Sequence, residues 1–149
     1  MKYQVGKGID DYVAKLGNLV FVGETLVGKA IYQGADIVAD AVKASINALP
    51  ASACTLVEKK GLQEGFGIAR MRDDNGVYNV KLGFDGYNAN KTKKYPKGKA
   101  NAMIARSIES GTSWKAKHPF IAPAVRKSKA QAEAAMQKEL DKNIKQIMG

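Results

Sequence analysis

Between Gly111 and Pro123 the chain sets a corner that limits what the rest can fold into. Ahead of it runs a helix-period segment with Ala100, Ile104, Ser107 and Ile108 on one face. The run stops at Gly111, a residue able to take the left-handed conformation that closes a helix. Thr112 and Ser113 begin a turn, followed by the only Trp (Trp114), the only His (His118), Pro119-Phe120 and Pro123. Pro123 stands where a new helix can begin without losing a needed backbone donor. The pattern predicts two helices joined by a rigid bend, with Phe120 held between two prolines and buried.

The elements before the corner follow from periodicity. Ile9, Tyr12, Val13, Leu16 and Val20 predict a first helix ending near Leu19, opened by Asp10 or Asp11. A second helix is expected from about Glu24 to Leu49, on a stripe that includes Val27, Ile31, Val38, Val42 and Leu49, with Pro50 ending it. Gly28 and Gly34 inside it each cost ~1 kcal/mol relative to Ala and point to close approach by another helix or to a kink. Ser52 is a candidate cap for a short helix. Gly61 to Arg72 and Val77 to Phe84 flank Asp73-Asp74-Asn75-Gly76, a tight-turn sequence, so they predict an antiparallel hairpin. Tyr78, Val80, Leu82 and Phe84 alternate with Asn79, Lys81 and Gly83, which puts one face against the helices, and Phe66 and Ile68 share that face. A closing helix is expected from about Ala122 or Pro123 to Met148, with Val125, Ser128, Ala132, Met136, Leu140 and Ile144 on or near its inner face. The fold class expected is α+β: N-terminal helices and a long C-terminal helix packed on a small antiparallel sheet containing a hairpin.

Charge is distributed unequally. Residues 1–90 carry ten Lys and Arg against ten Asp and Glu, and residues 91–149 carry fourteen against four, so the whole net charge of +10 falls on the second part (14 − 4). Five of those lysines, Lys91, Lys93, Lys94, Lys97 and Lys99, surround Tyr95-Pro96 in a Gly- and Asn-rich stretch over about residues 85–99, expected to be a basic mobile loop. Such a surface suits an acidic partner or a nucleic acid, or is a solvated face that keeps the chain soluble.

Several functions are excluded or disfavoured. The 149 residues suit one domain, 1–149. No run approaches the ~18 to 20 apolar residues of a membrane span, and no secretory signal is expected. The single Cys54 excludes an internal disulfide and a cysteine-rich zinc site. Gly23 to Ala30 matches a phosphate-loop pattern up to its last residue, but Ala30 cannot hold magnesium as Ser or Thr would. His118 has no companion ligand or orienting acid in the sequence, and Asp73-Asp74 reads first as a turn. No enzyme, cofactor or metal is expected.

Glu109, Gly111 and Thr112, followed by Pro119, Phe120, Pro123 and Ala124, resemble the Glu-x-Gly-Thr and Pro-Phe-x-x-Pro-Ala signature of the small tail-component proteins of long-tailed bacteriophages. Ser110 and His118 depart from that pattern, standing where an aromatic and an Arg are frequent. The resemblance implies a virion structural protein of the neck or tail, acting in tail completion or head-tail joining and assembled in the bacterial host cytoplasm. It implies partners in copies of itself, usually in a sixfold ring, and in neighbouring neck and tail-tube proteins, with passing DNA as a further contact. Lys91, Lys93, Lys94, Tyr95, Lys97 and Lys99 are then the candidate partner contacts. The alternative, drawn from charge alone, is a sequence-nonspecific nucleic-acid-binding protein.

Overall fold

The computed structural model describes the backbone of residues 7–75 and 77–148, with side chains over residues 25–75 and 77–147. It is an α+β fold in the order α1 (Lys7–Asn47), α2 (Leu56–Gly65), β1 (Phe66–Ile68), β2 (Arg72–Asp74), β3 (Val77–Asn79), β4 (Leu82–Phe84), α3 (Asn101–Ser110) and α4 (Ile121–Met148).

One helix stands where two were expected at the N-terminal end. The backbone is helical through residues 19–24, because that stretch holds no proline and a single interior glycine is tolerated at modest cost. The expected stripe over Ile9 to Val20, and the Asp10 and Asp11 cap, lie outside the described side chains. At 1.5 Å per residue the 41 residues of α1 reach about 60 Å. Helix α4 runs antiparallel to it: Gly34 meets Met136, while Ala48 shares a groove with Ala124. A Cβ at Gly34 would come within 2.6 Å of the Met136 Cγ, so the expected close approach by another helix is real. At Gly28 the neighbour is the Met71 side chain of the hairpin, at a distance that would leave a Cβ in ordinary van der Waals contact.

The end of α1 is closed by its neighbour, as Lys59 Nζ donates to the Leu49 carbonyl at 3.0 Å. Helix α2 begins with a capping box. Glu58 N–H donates to Thr55 Oγ1 at 3.2 Å, and Thr55 N–H donates to Glu58 Oε1 at 2.9 Å. Thr55 therefore replaces Ser52 as the cap. Gly61 and Leu62, expected to enter the hairpin, lie inside α2. Leu62 is fully buried in the core, and Gly61 has the Asn101 side chain of α3 directly against it.

The hairpin starts only at Phe66 and carries a register change. Phe66 faces Phe84 and Ile68 faces Leu82, whereas Arg72 faces Asn79 and Asp74 faces Val77. Three residues, 69–71, thus oppose two, 80–81, which is the geometry of a β-bulge. The freed Met71 N–H donates to the Tyr32 hydroxyl of α1 at 2.7 Å, so the bulge fastens the hairpin to the long helix. Asn75 at the tip has φ +57°, the left-handed value that the turn sequence predicts.

The core gathers Val42, Ile46 and Leu49 of α1, Leu62 of α2, Ile104 and Ile108 of α3, and Phe120 and Ala124 of the corner and α4. Phe84 links the hairpin to it, with ring centroids 5.2 Å from Phe66 and 6.3 Å from Phe120. Along α4 the inner face is Ala124, Ser128 and Ala132. Val125 and Ile144, expected inside, stay partly open to solvent, at 38% and 39% exposure.

Candidate functional site

The seven signature residues meet at the bend between α3 and α4. Helix α3 ends on Gly111 with φ +76°, where a Cβ would sit 2.8 Å from the Lys117 backbone nitrogen, so both conformation and crowding require glycine. The chain turns through Thr112, whose N–H donates to the Lys115 carbonyl at 2.9 Å. It returns along α3, where His118 N–H donates to the Ile108 carbonyl at 2.7 Å. Phe120, 3% exposed, then enters the core.

Glu109 explains why the two halves of the signature belong together. Its Oε2 accepts the N–H groups of Phe120 at 2.7 Å and Ile121 at 2.8 Å, and its Oε1 accepts that of Ala122 at 2.9 Å. A helix start leaves four N–H groups without intrahelical partners. Three of them go to this one carboxylate. The fourth position is Pro123, which has no N–H. The first turn of α4 is thereby complete, with a negative charge at the positive end of the helix dipole. Burial pushes the Glu109 carboxyl up, but the N–H groups of Ile121, Ala122 and Phe120, with the charge of Arg126, hold it below the ordinary carboxylate value. Pro119 and Thr112 lie exposed, and Ala124 is buried against the core.

The basic loop lies at the other end of α3, about 15 Å away along the helix axis. Its base is fixed: Tyr87 bridges Ala100, Asn101 N–H donates to the Gly86 carbonyl, and Asn101 Nδ2 donates to the Asp85 carbonyl at 2.8 Å. Asn88, buried, accepts Asn90 N–H at 3.0 Å and Lys99 N–H at 3.1 Å on its Oδ1. A second turn closes on Thr92, with Tyr95 N–H donating to its Oγ1 at 3.0 Å. Lys91, Lys93, Lys94 and Lys97 are exposed around this frame. Tyr95 is half-buried, with Lys94 Nζ 5.6 Å and Lys99 Nζ 5.8 Å from its ring centroid.

The remaining chemical motifs fall on structural positions. The phosphate-loop-like residues lie within α1, where backbone donors are committed to the helix rather than free to cradle a phosphate. Asp73 and Asp74 form β2 beside the hairpin tip. Among the described residues no group of three His, Cys, Asp or Glu is placed to hold a metal ion, and no described helix is long and apolar enough to cross a membrane.

Sequence reasoning gave Trp114 no role, yet it is 96% exposed. The available signal was a lone Trp in a turn beside Lys115, Lys117 and His118. The capping role of Glu109 was also missed, since eleven residues separate it from its first partner and no local cap pattern spans that distance. No protein-family model, curated protein or solved structure matches this chain.

Proposed function

We propose that this chain is a bacteriophage virion structural protein of the neck or tail, which completes the tail or joins it to the head by ring assembly and docking, without catalysis. The observation that carries the reading is the corner: the signature residues that motivate it form one structural unit, in which Glu109 and Pro123 complete the start of α4 and Phe120 seals the core. That unit is architectural, in keeping with a protein whose work is done by surfaces. The exposed lysines of residues 91–99 and the outer face of α4 supply the contacts to neighbouring subunits, acidic neck proteins or passing DNA. The test is replacement of Lys91, Lys93 and Lys94 with Glu in the phage. Head-tail joining should fail while the purified chain remains folded, and unchanged assembly would remove the loop from the account.

A second reading is favoured by the lysines that flank the Tyr95 ring, an arrangement suited to phosphate contact and base stacking. A sequence-nonspecific nucleic-acid-binding protein would show a steep fall of duplex DNA affinity with salt. A virion joint that contacts proteins would bind duplex DNA weakly at physiological salt.

A further inference from the structure

We infer that the Trp114 turn is a docking knob for a second copy of this chain, seating its indole in the groove between α1 and α4 of the neighbour. The knob is presented by a fixed backbone. Thr112 N–H donates to the Lys115 carbonyl at 2.9 Å, Trp114 N–H donates to Thr112 Oγ1 at 3.2 Å, and the return strand is tied to α3 by His118. Because the turn is already ordered, little backbone freedom is lost on binding, and aromatic anchors of this kind concentrate interface energy.

The receiving surface is a groove of about 630 Å³ whose small side chains Ala41, Ala44, Ala48 and Ala124 leave room beside Ile37. Trp114 does not fill the groove of its own chain, being almost wholly exposed. Charge selects the pairing. From Gly111 to Ala132 the chain has five Lys and Arg and no Asp or Glu, so packing this patch against itself would set Lys115 and Lys117 against their own copies. The α1 wall of the groove instead carries Asp40, with Asp36 one turn earlier on the same helix, while Lys127 stands on the α4 wall. Knob and groove are different surfaces, so the contact runs head to tail and closes a ring or extends a filament according to its rotation. It would serve the ring proposed above, yet it stands on Trp114 and the groove alone.

Trp114 is the only Trp, so its emission reports this site directly. The purified chain is followed by fluorescence and by sedimentation over micromolar to millimolar concentrations. The expected result is emission moving to shorter wavelength as the sedimenting mass rises. Asp40→Lys with Ala44→Lys, at exposed α1 positions, and separately Trp114→Ala, should each weaken association about tenfold or more while circular dichroism is unchanged. Association with an unshifted indole, or association that survives the groove substitutions, would overturn the contact and leave the virion reading standing. A chain that stays monomeric throughout would overturn it too. So would a shift driven by single-stranded oligonucleotide where the protein alone shows none, since that assigns the knob to nucleic acid.

Discussion

Helix α3 has a connector at each end, and the two spend their backbone donors in opposite ways. At its C-terminal end, the N–H groups of Phe120, Ile121 and Ala122 converge on the single carboxylate of Glu109, and the Phe120 and Ala124 side chains are buried in the core. At its N-terminal end, donors are satisfied locally by Asn88, Thr92 and nearby carbonyls, while lysine side chains extend into water. The first arrangement couples a remote helix start to the core, so disturbing it should cost stability. The second is self-contained. Its exposed lysine side chains can change with little consequence for the fold, which leaves them free to serve contact.

The comparison breaks first at Phe120. Phe120→Ala should lower unfolding free energy by about 3 to 5 kcal/mol, from lost burial and the cavity left among Ile108, Phe84 and Ala124. Denaturant titration checks it. Glu109→Gln keeps the shape but removes the charge and at least one acceptor, and should cost about 1 to 3 kcal/mol by the same measurement. A cost below ~0.5 kcal/mol would mean that α4 starts without this cap.

The pH dependence sharpens the same point. Since the folded Glu109 carboxyl lies below its ordinary value, its contribution is fully present above the unfolded value and is lost as pH falls through the folded one. Wild-type stability should therefore fall in acid more steeply than that of Glu109→Gln, whose side chain does not titrate. Parallel acid profiles would show that the carboxylate is not stabilised by folding. The smallest stability effect belongs to the loop. Replacing Lys91, Lys93 and Lys94 with Glu should shift unfolding by no more than about 0.5 kcal/mol, because all three are exposed and form no ion pair among the described residues. The same change should still abolish docking if these lysines meet a partner.

Much of this fold was legible in the sequence where local chemistry decides it. Gly111 ended α3, Asn75 took the turn conformation, Pro50 followed α1, and alternation from Tyr78 to Phe84 located the second arm of the hairpin. What stayed hidden depends on tertiary partners. The helical state of Gly61 and Leu62 and the bulge at residues 69–71 are set by packing against α3 and by Tyr32, and α1 runs on past residue 19 where the hydrophobic pattern alone marks no break or continuation. At the corner, the residues were visible as a pattern, but Glu109 acts across a fold-back that no helical or strand period encodes. Trp114 was visible as a residue type and silent as a position, because exposure is a property of the folded surface.

Glu109 as the cap of α4 is the central claim, and amide hydrogen exchange at that helix start tests it most directly. Exchange at Phe120, Ile121 and Ala122 should be slow in the wild type and accelerate in Glu109→Gln, while amides in the middle of α3 and α4 change only by the global loss of stability. Equal protection of those three amides in both proteins would contradict the cap, and with it the physical reason for Glu109 and the Pro-Phe-x-x-Pro-Ala residues to occur together.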